Sequence, residues 1–288
     1  MLSLFNRPKQ LLDQEIIQWI FDSFAWSLKQ FDKDVFFQET VLVIPDNKYF
    51  PGKETSASGM AELIFSQVKQ YAGMSHWPTK LHNLEHGQPP AMLSNSLTIN
   101  GAFRGKKAQL QEKQSAMTEP TGVSQPAAMP VSTMDFSALA QVETKIPFTY
   151  HPQQLRSPEG IISHFAHGLS HHLASTATEL PPGGAEYVPM AGELVGIFMG
   201  FGIMFANSAV VPRTGGCGGC GGGQSPVRQV FLNEEEATYA LAVFCHLKSI
   251  EAKRVTKHLK KHLRGFFKDA MKDCKRRLAE SDQLKLSA

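Results

Sequence analysis

Apolar residues recur every three or four positions over much of this chain, and that period predicts helices. Residues 10–31 set Leu12, Ile16, Ile20, Phe24 and Leu28 at steps of four, with Trp19 and Trp26 beside them. This is an amphipathic helix with a wide apolar face, read as core packing. Residues 57–72 repeat the pattern through Met60, Ile64, Val68 and Tyr71, with Ser56 or Ser58 as the cap. Ser157-Pro158-Glu159-Gly160 starts a helix running to about residue 174, and a second runs from about Met190 to Ser208. Asn233, followed by Glu234, Glu235 and Glu236, caps a third, with acidic residues against its positive end. Residues 251–280 read as a last helical stretch, with Val255, Leu259, Leu263, Phe266, Ala270, Cys274 and Leu278 on one face and Gly265 as a bend.

Strand signals are fewer. Val35 to Pro45 is rich in aromatic and β-branched residues and ends at a turn, which predicts a strand. Lys80–Leu84, Ser96–Ile99 and Lys145–Tyr150 are shorter candidates. Together these give a mostly helical α+β fold with a small sheet. Between residues 103 and 143 Gln, Lys, Ser, Pro and Ala dominate and large apolar residues thin out, so this segment reads as an insertion or linker. The organisation predicted is a 1–102 region of helix and strand packing on the core, the 103–143 insertion, and a 144–288 helical region.

Composition adds modest constraints. Hydrophobic residues are 42% and charged residues 19% of 288, ordinary values for a globular chain able to bury a real core. The start is too short and polar for a signal peptide, and the strongest apolar run, Leu194 to Ala206, falls short of the roughly 20 residues a bilayer span needs. The expectation is a cytoplasmic protein with no membrane span. Charge is uneven: residues 248–288 hold 13 Lys/Arg against 5 Asp/Glu, and the rest hold 16 against 21. Such a basic tail suits an acidic partner or docks on the acidic body.

The segment from Ile161 to Leu173 carries the densest chemistry. His167 and His171 are four residues apart, so on a helix they lie about 40° apart around the axis and one turn apart along it. Two imidazoles so placed can share one metal ion, which is why zinc peptidases use H-x-x-x-H with a glutamate after the first histidine as general base. Glu193 is the candidate third ligand, because it heads a helix otherwise too apolar to hold a lone carboxylate; a metal or a histidine would offset its charge. Glycines 196, 200 and 202 would let that helix come close to the histidine helix. His164 shares the histidine face but lies about 10 Å from His171 along the axis, so it supports rather than ligates.

Ala166-His-Gly-Leu-Ser-His171 and Glu193 to Ser208 together resemble uncharacterised bacterial proteins related to zincin metallopeptidases of the glutamate-third-ligand (gluzincin) type. The likeness extends to Leu232–Phe244, to His262–Lys268 and to the Trp-containing first helix. It implies a zincin-like domain with zinc as cofactor at His167, His171 and Glu193. One position departs: Gly168 stands where the motif needs its glutamate. General acid–base help is worth roughly 10²–10⁴-fold in rate, and glycine supplies none. The expectation is therefore a zincin-like metal-site protein without hydrolytic activity and with no catalytic residue assigned. An active zinc hydrolase with an unusual base, Glu179 or Glu186, is the alternative.

Two further features carry less. Cys217-Gly-Gly-Cys220 sits in a run of seven glycines, reads as a flexible loop, and lacks the second pair a zinc knuckle needs. The basic tail could bind nucleic acid or an acidic surface, but the scarcity of aromatic residues for stacking argues against nucleic acid, leaving an unidentified protein as the expected partner.

Overall fold

A computed structural model describes residues 11–87, 103–117, 145–209 and 229–280. The chain is mostly helical with a two-stranded sheet, the α+β class its sequence predicts. Helices α1 (Gln14–Gln30) and α2 (Ala57–Ala72) fall on the two N-terminal periodic segments. The Ser56 side chain accepts the Gly59 N–H at the start of α2, and Gly73 closes it in the left-handed conformation at φ 75°. Strand β1 (Thr79–Asn83) pairs in parallel with β2 (Ile146–Tyr150), in register from Thr79 opposite Ile146 to Asn83 opposite Tyr150. Helix α3 (Lys106–Met117) opens the segment read as an insertion. The strand candidate Ser96–Ile99 and the Cys217/Cys220 pair lie outside the described residues.

The chain continues with α4 (Pro158–Ser175), capped by Ser157, then α5 (Val188–Gly196), a π turn at Ile197–Phe201 and α6 (Gly202–Ser208). The whole helical stretch Ala185–Ser208 passes a length-and-composition test for a membrane span, which counting only the apolar run did not suggest. Yet 83% of its apolar window is buried inside the protein, as the central helix of a packed core would be. α7 (Glu234–Leu247) starts with a full capping box: Asn233 accepts from the backbone of Glu235 and Glu236, and Glu236 accepts from the Asn233 N–H. α8 (Ala252–Thr256) and α9 (Leu263–Glu280) end the described chain. One hydrophobic cluster runs through all of this, from Ile17 on α1 to Cys274 on α9.

Two expectations fail for tertiary reasons. Val35 to Pro45 is not a strand. It is a π turn at Val35–Glu39 followed by an extended segment whose nearest backbone partner is a helix kink, Val43 N–H donating to the Gly200 carbonyl at 3.0 Å. Its β-type residues are instead used for burial, with the Phe36 ring stacked on Phe198 at 4.5 Å. The C-terminal stretch is not one helix either, and the break falls at 257–262 rather than at Gly265. There Asn207 does the work of a helical turn: its side chain donates to the His258 carbonyl at 2.8 Å and accepts from the Lys260 N–H at 3.0 Å.

Burial sets a pH dependence. It pushes the pKa of His246 down, with help from Lys275, and that of His258 down, with help from Lys257 and against a smaller opposing pull from Asp46. A histidine with a lowered folded pKa leaves the unfolded chain binding more protons below the ordinary value of about 6.5, so its contribution is intact above that pH and lost as pH falls. Glu159 and Glu236, raised by burial, act in the opposite sense but only in the carboxylate range. The melting temperature is therefore expected to fall between pH 7.5 and 5.5, and to fall less in a His246→Gln/His258→Gln variant. An identical slope in the variant would remove these histidines as the cause.

Candidate metal centre

Helix geometry brings the two central histidines together: the His167 and His171 rings lie 4.2 Å apart between centroids. α5 packs against this face of α4, and the point of approach is Gly192. A Cβ there would sit 2.7 Å from the His171 ring, so only glycine lets the imidazole lie against the α5 backbone. The next residue, Glu193, is fully buried and presents Oε1 to His167 Nδ1 at 3.7 Å. His167 thus stands beside both of the other residues singled out by sequence, His171 on α4 and Glu193 on α5.

The structure adds partners that periodicity could not reveal. Glu193 Oε2 accepts the backbone N–H groups of Phe231 and Leu232, at 3.0 and 2.6 Å. The carboxylate therefore anchors the strap that leads into the α7 cap, and its burial is offset by two amides and a histidine. Phe231 closes the site, its ring nearly parallel to His167 at 6.3 Å and 6.0 Å from His171.

Around this core the remaining candidates separate. His164 hydrogen-bonds the Thr149 carbonyl through Nε2 at 2.8 Å, and since a carbonyl only accepts, that nitrogen carries the proton. It ties α4 to β2. His172 faces the Phe148 ring at 5.4 Å, and burial lowers its pKa. Glu179 accepts Lys29 Nζ on both carboxylate oxygens at 2.6 and 2.7 Å, on the surface. Glu186 is exposed ahead of α5.

Gly168 has a clear structural reason. A Cβ at that position would meet the Phe148 ring at 2.7 and 3.1 Å, and that ring is packed against Phe65 at 4.9 Å. The place from which a general base would project is filled by an aromatic side chain of β2. Gly168→Glu is accordingly expected to lower stability by about 1–3 kcal/mol, as overpacking does, and to confer no peptidase activity. Thermal melts and a peptide-cleavage assay check both; a variant as stable as the parent that cleaves peptide would show that the ring yields.

Two imidazoles and a carboxylate are a zinc-type donor set, with bonds of about 2.0–2.2 Å that set neighbouring donors roughly 3.4 Å apart. The 3.7 Å between His167 and Glu193 is close to that spacing. Among the described residues, however, no three His, Cys, Asp or Glu side chains already stand grouped to hold a metal ion. The donors fit zinc in kind and in adjacency, without forming a finished cage. No family model, curated protein or solved structure matches the chain.

Proposed function

We propose that this chain is a zincin-like protein without hydrolytic activity, in which His167, His171 and Glu193 hold zinc as a structural centre. The observation that carries the reading is that His167 stands beside both His171 and the buried Glu193, while Phe148 fills the position of the missing base. Zinc bound there would add to folding stability by joining α4, α5 and the strap at residues 231–232. The chain's own residues supply the rest. Glu193 holds the strap through Oε2 and turns Oε1 to His167. Gly192 sets the His171 ring against α5, and Phe231 covers the imidazoles. The arrangement fixes and shields a metal but offers no carboxylate to activate water.

Metal content after purification in metal-free buffer, followed by zinc addition, tests this. The parent is expected to hold about one zinc per chain and to melt higher with zinc. His167→Ala and His171→Ala are expected to lose both properties, and the zinc-loaded parent to cleave no peptide. Unchanged metal content in both variants would sink the metal centre. Peptide cleavage by the loaded parent, lost in Glu193→Gln, would establish an active hydrolase instead.

A further inference from the structure

Helix α9 has two opposite faces. Counting about 100° per residue, Leu263, Phe267, Ala270 and Cys274 share one side, and all four are buried. Arg264, Lys268, Lys272, Lys275 and Arg276 fan over the other, all exposed, with exposed Lys261 just ahead of the first turn. Lys272 pairs with Asp269 and Arg276 with Asp273. Lys261, Lys268 and Lys275 make no ion pair among the described residues, and Arg264 donates to the Leu259 and Lys257 carbonyls, although the rest of the protein carries an excess of acidic side chains. Gly265 lies in the middle of this face, where a Cβ would meet nothing within 4 Å. Neither packing nor a left-handed backbone calls for glycine there, and it leaves a flat spot among the cations.

The composition of the face selects the partner. A helix lying on a membrane uses an apolar face to insert, and the apolar side of α9 is already spent on the core. Single-stranded nucleic acid is held by stacking on exposed aromatics, whereas Phe267 is buried and Phe266 half-buried. A band of exposed cations over about a third of the helix surface, with Arg264, Lys268, Lys272 and Arg276 at steps that rise about 6 Å and turn about 40° each, and with no exposed aromatic residue among them, suits the phosphate backbone of a duplex. We infer that the exposed face of α9 is an electrostatic docking surface for double-stranded nucleic acid, read through its phosphates and not its bases. The sequence pattern alone points away from nucleic acid; the exposed cations of α9 are the observation set against that expectation. This inference is independent of the metal centre.

Fluorescence anisotropy of the full chain with a labelled random-sequence 20-base-pair DNA duplex tests it, beside vesicles of phosphatidylserine and phosphatidylcholine. The parent is expected to bind the duplex at 50 mM salt and about a hundredfold or more weakly at 200 mM, the dependence that roughly four to six phosphate contacts give. Lys261→Glu/Lys268→Glu/Lys275→Glu is expected to lose at least tenfold with an unchanged melting temperature. Lys33→Glu/Lys53→Glu/Lys107→Glu, an equal charge change at exposed positions elsewhere, is expected to lose less than threefold. No binding at 50 mM, equal losses in the two triple variants, or vesicle binding as tight as duplex binding and equally sensitive to the α9 changes would overturn the proposal.

Discussion

Replacing Glu193 with alanine is expected to cost about 2–4 kcal/mol of folding stability, the sum for two backbone donors left without their acceptor. The carboxylate is completely buried, and its Oε2 is the acceptor for two backbone N–H groups, one of them on buried Leu232. Alanine leaves those donors facing a small void, and an unsatisfied buried donor costs about 1–3 kcal/mol. Glu193→Gln keeps a carbonyl oxygen for the strap and loses the charge that faces His167, so its cost should be clearly smaller. Urea unfolding of the three proteins measures the order. A Glu193→Ala penalty below 1 kcal/mol would mean that the strap at 231–232 is not held from this point.

Gly200→Ala is expected to be at least as damaging, at about 3 kcal/mol or more. Gly200 sits at φ 100°, where the π turn ends and α6 begins, and a Cβ there would lie 2.1 Å from the Val41 carbonyl oxygen. Strain at a positive φ costs on the order of 1–3 kcal/mol, and here the clash is with backbone, which has no rotamer to yield. Val43 donates to the Gly200 carbonyl from the same segment, so the two chains cannot simply separate. With roughly 2–4 °C of melting temperature per kcal/mol at this chain length, a drop of about 10 °C is expected in a thermal melt. A drop of under 3 °C would show that the 40–44 segment moves freely away from the helix.

These two positions also show where sequence reading stops. Local signals were legible: Ser56 and Asn233 cap the helices they were expected to cap, and α4 starts at Pro158 as its turn chemistry indicates. The nearness of His167 and His171 follows from helical spacing, and that of Glu193 from the cost of a carboxylate in an apolar helix. What could not be read depends on distant groups. The π turn at 35–39 is shaped by Phe36 packing on Phe198, and the gap between α8 and α9 by the Asn207 side chain. Gly168 reads in sequence as a deleted base; only the fold shows Phe148 standing against it. Gly192 and Phe231 carry little sequence signal, since one matters for what it lacks and the other precedes its helix, although a glycine directly before a glutamate in an apolar helix is a usable one.

Under the proposed function, zinc is expected at the two histidines and the glutamate between α4 and α5, and not at thiols. Cys245 and Cys274, both buried and free, offer the competing chemistry among the described residues; burial raises the pKa of both, that of Cys274 to about 12, which opposes the thiolate a metal needs. Zinc-edge X-ray absorption on the stoichiometrically loaded chain separates the two directly. The expected result is a shell of nitrogen and oxygen at about 2.0–2.2 Å; a sulfur shell at about 2.3 Å, or a chain that retains no zinc to measure, would contradict the proposed metal centre.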